Sequence, residues 1–277
     1  MTSIKGKTVI LTGASRGIGT FIAREFAKKQ ARIVCISRSQ NDLDKVCNEI
    51  NDLGGEGIGL AFDISEVENI TKLIDEIISV IGSLDVDILV NNAGIEIYSA
   101  FQNYSLKEMH SVMSVNLMAA IELTRLILPQ MLEKNSGHIV NIASLAGKKG
   151  HPYDSIYSAS KAGLLMWANA LRQELANTKV EVSNICPGYI SGKGLLADTG
   201  IPAPTMAGIS TPENVAIAVC NAIQENDAEV VVNGNILMKI LTKLLLATEQ
   251  LFPRLGDFTN NSLGVNRLNQ MRIKNYN

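Results

Sequence analysis

The stretch TVILTGASRGIG, residues 8–19, decides the fold class of this chain. A short apolar run rich in β-formers enters a glycine-rich turn, and the helix-forming run TFIAREFAKK follows at once. Gly13, Gly17 and Gly19 allow a tight turn and a close approach of the backbone to a pyrophosphate, which a helix N-terminus attracts through its unpaired N–H groups. A turn between strand and helix also needs glycine for structural reasons alone. The order of strand, glycine turn and helix nevertheless favours a nucleotide site.

The same alternation of strand and helix continues along most of the 277 residues. The β-rich runs are TVILTG (8–13), RIVCIS (32–37), GIGLAF (57–62), DILVNN (87–92), HIVNIAS (138–144), KVEVSNICPG (179–188) and EVVVNG (229–234). The helical patterns lie near 18–29, 40–53, 66–81, 105–134, 156–177 and 212–225. This alternation predicts an α/β, Rossmann-like, doubly wound fold with a seven-stranded parallel sheet and helices on both faces. A ligand crevice is then expected at the carboxyl ends of the strands.

Composition narrows the classes of function. A hydrophobic fraction of 46% with 19% charged residues is ordinary for a globular chain that buries a core. The formal net charge of −2 and the pI near 6.0 give no electrostatic footprint for nucleic acid. The first β-rich run begins at Thr8, so we expect no secretory leader. No run approaches about 18 uninterrupted apolar residues, so we expect no membrane span.

The cysteines indicate a reducing compartment. Cys35, Cys47, Cys186 and Cys220 form no C-x-x-C pair and have no histidine at metal spacing. We therefore expect no metal site, and free thiols in a cytoplasmic protein.

The glycine turn resembles the first turn of the short-chain dehydrogenase/reductase family, in which the spacing Gly-x-x-x-Gly-x-Gly marks a nicotinamide-cofactor site. With the motifs that follow, the resemblance covers roughly residues 5 to 234. It implies cofactor contacts from the turn residues Gly13, Ser15, Arg16, Gly17, Ile18 and Gly19.

The end of the second β-rich run bears on the choice of dinucleotide. NAD-binding folds place Asp or Glu there to hold the ribose 2′-hydroxyl, whereas this chain has Ser37 and Arg38. Arg38 and Arg16 stand at the two positions where the family reads the 2′ group, and guanidinium forks match phosphate geometry. The sequence therefore predicts NADP(H). The alternative is that both arginines are merely solvated and that the enzyme uses NAD(H).

Two further strand ends match family positions near the cofactor. Asp63, with Ile64, follows the third run, where a family aspartate accepts a hydrogen bond from the adenine amino group. Asn92, Ala93 and Gly94 belong to the motif NNAG after the fourth run, which in the family steadies the sheet beside the cofactor. By resemblance these residues are cofactor contacts, although Asp or Asn at a strand end is often only a turn former or helix cap.

The stretch YSASK sets Tyr157 and Lys161 one helical turn apart, so the lysine charge can reach the phenol. Together with the positive nicotinamide ring of the oxidised cofactor, this charge is expected to lower the pKa of the phenol. On its own this pair also fits a solvated helix face. By resemblance, Tyr157 is the acid/base, and both residues contact the cofactor. Ser144, thirteen residues before Tyr157, matches the serine that stabilises the substrate oxygen. Asn116 matches the asparagine that interrupts a helix and holds a water linking Lys161 to solvent.

The stretch CPGYIS, residues 186–191, completes the family's cofactor site. Pro187 and Gly188 turn the chain out of the sixth run. By resemblance, the Ile190 backbone and the Ser191 hydroxyl pair with the nicotinamide carboxamide. Ser191 stands where the family usually has Thr, and it keeps the hydroxyl.

Two segments are expected to set the substrate, residues 191–210 and 145–156. The first carries the apolar residues Leu195, Leu196, Ile201 and Met206. Little fixed charge accompanies them, which favours an apolar carbonyl compound, and the glycines and prolines suit a lid. In the second segment, His151 and Tyr153 are candidates for substrate contact or simply loop residues.

Residues 235–277 continue beyond the point where the family often ends. An amphipathic helix is predicted over 236–252, stopped before Pro253. Its polar stripe consists of Lys239, Thr242, Lys243 and Gln250. Its apolar face fits packing over the pocket or a partner subunit, contact with a membrane interface, or a separate protein partner. We expect residues 1–234 to form the cofactor-binding and catalytic domain and 235–277 an extension packed on it or on a partner subunit.

These features predict an NADP(H)-dependent oxidoreductase that moves a hydride between nicotinamide and a carbonyl or secondary alcohol. A hydrophobic ketone or lipid-like substrate and the reductive direction are favoured. The family usually assembles through helices near 105–134 and 156–177, which implies a homodimer or homotetramer. An NAD-linked alcohol dehydrogenase and a non-catalytic cofactor-binding or membrane-associated scaffold are the alternatives.

Overall fold

The structure, a computed structural model, describes residues 3–204 and 207–276. Met206, which we expected in the substrate-side loop, lies outside the described residues. The strands are β1 (Thr8–Thr12), β2 (Arg32–Ser37), β3 (Glu56–Ala61), β4 (Ile88–Asn91), β5 (Gly137–Ile142), β6 (Val180–Pro187), β7 (Tyr189–Ile190), β8 (Ile209–Ser210) and β9 (Glu229–Val232). The helices are α1 (Ile18–Lys28), α2 (Gln40–Asp52), α3 (Ile70–Ile81), α4 (Leu106–Met113), α5 (Ala119–Glu133), α6 (Ser155–Glu174), α7 (Leu195–Asp198), α8 (Pro212–Glu225), α9 (Ile236–Leu251), α10 (Pro253–Ser262) and α11 (Val265–Tyr276).

Seven parallel strands form the main sheet in the order β3-β2-β1-β4-β5-β6-β9. The chain winds outward in one direction from β1 to β3 and then restarts on the other side of β1 with β4. This reversal places the crevice at the carboxyl ends of β1 and β4, as the sequence predicted. The predicted Rossmann-like fold is therefore confirmed.

Two apolar clusters cover the two faces of the sheet. Side chains of β1 alternate between them, because Val9 and Leu11 face one cluster while Ile10 faces the other, all fully buried. Helices α1, α2 and α8 cover the first face, and α3, α5 and α6 cover the second. Burial on both faces explains why the β-rich runs are almost continuously apolar.

The segment Leu106–Glu133 is long and apolar enough to cross a membrane by length and composition alone. A core helix passes the same test. Here Leu123, Ile127 and Met131 are fully buried in the second cluster, where they pack against the sheet. A π-helical turn, Ser114–Met118, interrupts this segment between α4 and α5.

Helices α9–α11, which we call the roof, pack beside the carboxyl edge of the sheet. The sequence predicted only the first of them. The amide of Asn269 donates to Pro152 O at 2.7 Å, and that of Asn275 donates to Thr199 O at 3.1 Å. The roof is thus attached to both segments that we expected to set the substrate.

Candidate active site

A cavity of about 690 Å³ lies at the carboxyl ends of the strands and extends from the glycine turn to the roof. The ends of β1, β2 and β4 and the N-terminus of α1 form one half of its wall. The start of α6, the loop after β6 and the roof form the other. A single cavity thus joins a nucleotide-type cradle to a second, more apolar arm.

The cradle depends on backbone positions that only glycine can occupy. A Cβ added to Gly13 would lie 2.8 Å from Ala93 Cα, and one added to Gly19 would lie 2.1 Å from Gly13 O. Gly17 has a φ of +55°, in the left-handed region. The Asn92 side chain donates to Gly13 O at 3.1 Å and so holds the end of β4 against the turn.

The predicted 2′-phosphate region lies at the far end of the cradle. Ser37 and Arg38 line the cavity there, and the Ser37 hydroxyl is buried without a hydrogen-bond partner among the described residues. A buried hydroxyl of this kind fits a polar cofactor group. Arg16 also lines the cavity, and its guanidinium is paired with Asp198 of α7 at 2.7 Å. Asp63 lines the cavity while one of its carboxylate oxygens accepts from Ser65 N.

Tyr157 and Ser144 meet where the cradle joins the apolar arm. Tyr157 lies in the first turn of α6, and Ser144 follows β5. The Ser144 and Tyr157 hydroxyls share a hydrogen bond, and the Ser144 oxygen accepts from Ala146 N at 3.1 Å. The two hydroxyls therefore lie at one point in the cavity. A substrate oxygen that replaced their mutual hydrogen bond would receive one hydrogen bond from each.

Lys161 and Asn116 lie behind this pair. The ammonium of Lys161 donates to Ile142 O at 2.7 Å and lies 5.8 Å from the Tyr157 ring centroid. Asn116 sits in the π-helical turn, where its side chain accepts from Ile95 N at 2.8 Å and donates to Ser160 Oγ at 3.0 Å. The helix interruption expected at Asn116 is present.

The pKa of Tyr157 differs in direction from our expectation. Burial raises it well above its ordinary value, the carboxyls of Glu96 and Asp154 raise it further, and the hydrogen bond from Ser144 lowers it. Burial lowers the pKa of Lys161 to about 8. The expected lowering by Lys161 is thus not seen in the protein chain, because removal of the phenol from water dominates. Tyr157 is a neutral acid at physiological pH.

Most of the predicted site residues line this one cavity. They are Gly13, Ser15, Arg16, Gly17, Ile18, Ser37, Arg38, Asp63, Ile64, Asn92, Ala93, Gly94, Ser144, Tyr157, Lys161, Pro187, Gly188 and Ile190. Gly19, Asn116 and Ser191 do not line it. Gly19 packs behind the turn, and the Ser191 hydroxyl donates to Ser210 O at 3.2 Å, which ties β7 to β8.

A buried charged cluster that the sequence analysis missed lies beside Tyr157. Glu96 and Tyr98 line the cavity, and the Tyr98 hydroxyl donates to the Glu96 carboxylate at 2.8 Å. Asp154, fully buried at the start of α6, shares a hydrogen bond with Glu96. Burial raises the pKa of both carboxyls, that of Asp154 well above its usual range, so Asp154 is the protonated donor.

Arg272 of α11 supplies the positive charge of this cluster. It is fully buried, donates to Pro202 O at 2.8 Å and to the Asn269 side chain, and lies over the rings of Tyr98 and Tyr189 at 5.4 and 5.8 Å. Its charge lowers the pKa of both carboxyls. The only local sequence signal was a glutamate within the apolar run IEIY that follows NNAG.

The roof supplies most of the apolar arm. Its cavity-lining residues are Met238, Leu241, Thr242, Leu245, Leu246, Glu249, Thr259, Asn260, Leu263 and Val265. Leu195 and Leu196 line the arm from α7, and His151 lines it from the loop before α6. Tyr153 does not line the cavity, and its hydroxyl accepts from Gln270 of α11.

Comparison with known proteins gives consistent relatives. The family model of short chain dehydrogenase matches residues 7–198. The ketoacyl reductase HetN of Nostoc sp. is 52% identical over 275 residues, which are 99% of this chain and 95% of that protein. A metagenomic short-chain oxidoreductase in complex with NADP is 32% identical with a TM-score of 0.72, covering 85% of this chain and 100% of that one. A short-chain dehydrogenase/reductase from Burkholderia phymatum in complex with NAD is 25% identical with a TM-score of 0.78, covering 91% and 96%.

Proposed function

Because the chain belongs to the short-chain dehydrogenase/reductase family of oxidoreductases, we propose that it uses NADPH to reduce a carbonyl group on an apolar acyl chain. The observation that carries this proposal is the position of Tyr157 and Ser144. Their hydroxyls meet at the junction of a glycine-built cradle and a leucine-lined arm. A carbonyl held there has the cofactor on one side and its apolar chain under the roof.

The protein's part in the reaction is to hold the carbonyl and supply a proton. Bound NADPH would supply the hydride. Ser144 donates a hydrogen bond to the carbonyl oxygen, and Tyr157 transfers its proton to the same oxygen as negative charge develops there. Since burial and the neighbouring carboxyls keep Tyr157 protonated at neutral pH, the phenol is poised as an acid, which suits the reductive direction. Asn116, through Ser160 and Ile95, fixes the helix that carries Lys161 and Tyr157.

Preference for NADPH is proposed from the 2′ region. Ser37 offers a buried hydroxyl with no hydrogen-bond partner in the described part of the chain, and Arg38 and Arg16 offer two guanidiniums. The metagenomic relative in complex with NADP supports this choice. Asp198 competes for Arg16, so Arg38 is the better test. In a fluorescence titration, Arg38→Ala should weaken NADPH binding about tenfold or more and leave NADH binding unchanged. Arg24→Ala is the control, because Arg24 lies on α1 and is paired with Glu49. If the wild-type protein bound NADH more tightly than NADPH, the assignment of NADPH would be reversed.

The substrate is proposed to be a ketoacyl compound with a long apolar chain. The relative named ketoacyl reductase matches 99% of this chain, so it includes the roof that lines the arm. We also infer a cytoplasmic homodimer or homotetramer with residues 1–234 as the catalytic domain. The buried free thiols of Cys35, Cys47, Cys186 and Cys220 support a reducing compartment.

A series of 3-oxoacyl thioesters of increasing chain length tests the function. The full chain should consume NADPH with a kcat/KM that rises with length, by up to about fourfold per added methylene while the arm fills. Consumption that is independent of length would contradict the apolar arm as the substrate site. Absence of consumption with every thioester and with a panel of ketones and aldehydes would favour the non-catalytic scaffold.

A further inference from the structure

The roof exposes an unusual amount of apolar surface to solvent. Within residues 3–204 and 207–276, twenty large hydrophobic side chains are exposed, and ten of them lie on the roof or at its α9–α10 junction. They are Ile236, Leu237, Ile240, Leu241, Leu244, Leu251, Phe252, Leu255, Phe258 and Met271. Leu251 is 76% exposed and Ile236 is 74% exposed. Monomeric soluble proteins rarely leave so large an apolar surface in contact with water.

Most exposed residues of α9 occupy the side opposite the cavity, whereas Leu241 lies at the border and also lines the cavity. At about 100° per residue, Ile236, Ile240 and Leu244 fall on one side of the helix. Thr242, Leu245 and Glu249 fall on the other side and line the cavity. One helix about 10 Å thick therefore separates the exposed apolar surface from the cavity.

Charge distinguishes the roof from the rest of the chain. Residues 235–277 contain six basic and two acidic side chains, whereas residues 1–234 contain 19 basic and 25 acidic ones. Lys243, Arg254, Arg267 and Lys274 are exposed, and none forms an ion pair with any residue that the structure describes. The apolar surface of an otherwise acidic protein is thus accompanied by unpaired positive charge.

We propose that the outward side of the roof docks on a lipid bilayer that carries anionic headgroups. The exposed leucine, isoleucine and phenylalanine side chains enter the boundary between headgroups and acyl chains, and the unpaired cations contact the headgroups. A second copy of the chain would also cover apolar surface, but a patch rich in one sign of charge repels its own copy. The docking itself does not rest on the proposed function. If the function holds, the leucine-lined arm lies one helix away from the membrane.

Vesicle co-sedimentation of the full chain tests the proposal. At about 0.1 M salt, the protein should pellet with vesicles of phosphatidylglycerol and phosphatidylcholine in equal parts, and at least about tenfold more weakly with phosphatidylcholine alone. The variant Leu237→Ser/Ile240→Ser/Leu244→Ser should remain in the supernatant. Phe101→Ser/Leu106→Ser, which removes two exposed apolar side chains from another surface, should pellet like the wild type.

Two further measurements separate the outcomes. The roof variant should keep the NADPH-binding and thermal-unfolding curves of the wild type, which shows that it remains folded. Light scattering should give the same mass for both proteins in the absence of lipid. If the roof variant had a lower oligomeric mass than the wild type but still pelleted with the vesicles, the surface would belong to a contact with a second copy. That result would overturn the proposal. Equal pelleting of wild type and roof variant, or none by either, would overturn it as well.

Discussion

The cradle and the roof line the same cavity but are built on different principles. In the cradle, Gly13 and Gly19 bring backbone atoms so close that a single Cβ would collide with a main-chain atom. In the roof, the wall consists of side chains on α9–α11, and the attachment to the rest of the chain includes amide hydrogen bonds, one buried guanidinium and the Lys149–Asp257 ion pair at 2.9 Å. Main-chain geometry thus fixes the shape of the cradle, while replaceable side chains shape the pocket for the substrate.

Replacement of Tyr157, the proposed acid, should give the largest effect. That effect should be confined to the chemical step and should spare cofactor binding in the cradle. Tyr157→Phe removes the only proton that the phenol can donate, so kcat should fall about 10²–10⁴-fold. The affinity for NADPH, measured by fluorescence titration, should change far less than kcat, because the glycine turn is untouched. Turnover that survives this change would require a different proton donor.

Removal of the roof's buried cation should come next. Arg272→Met leaves Pro202 O and the Asn269 side chain unpaired and the Glu96–Asp154 pair without its compensating charge. We expect a loss of about 3 kcal/mol in the free energy of urea unfolding. Lys274→Met, on the exposed side of the same helix, is the matched control and should have little effect. Equal losses in both variants would mean that Arg272 acts only through helix propensity.

A third change should separate substrate selection from chemistry. Leu245 of the roof lines the arm, so Leu245→Trp should fill it and raise the KM for a long-chain thioester about tenfold or more. The kcat/KM for a short-chain thioester should be unaffected. Leu244→Trp, on the adjacent residue that is 62% exposed, is the control. A similar loss for both chain lengths in Leu245→Trp would place the chain elsewhere in the cavity.

The same contrast explains what the sequence predicted. The strand order, the crevice and the residues that line the cradle follow from local patterns, because a glycine turn or a strand end needs its residue types at fixed spacing. Residues of α10 and α11 were missed, since NNSLGVNRLNQMRIKN shows little apolar periodicity. The partners of Arg272 come from distant segments, as Asn269 is separated from Pro152 by 117 positions. Burial by distant segments also raises the pKa of Tyr157 in the protein chain, an effect that the local spacing of Tyr157 and Lys161 does not show.

Lowering the pH should change the stability that the two regions contribute in opposite directions. His138 of β5 lies in the sheet beneath the cradle, 2.8 Å from Ser183 Oγ, whose own proton is donated to Asp227 O at 2.6 Å. The Nε2 atom of His138 therefore carries the proton, and Nδ1 is buried without a partner among the described residues. Burial lowers the pKa of His138 to about 4. Because the unfolded chain binds this proton near pH 6.5, stability should be lost as the pH falls from about 6.5 to 4.

Asp154, beneath the roof, has the opposite sign. Its pKa is raised well above the usual range, so the folded chain holds a proton that the unfolded chain releases above about pH 3.9. Stability from this group should therefore be gained as the pH falls. Urea unfolding between about pH 6.5 and 4 measures both effects, each up to about 1.4 kcal/mol of unfolding free energy per pH unit. His138→Gln should abolish the loss of stability on acidification that His138 causes. Asp154→Asn should abolish the gain of stability on acidification that Asp154 causes. His110→Gln, on the exposed side of α4, should leave the curve in place. If both variants changed the pH dependence of the unfolding free energy in the same direction, the opposite signs assigned to His138 and Asp154 would be wrong.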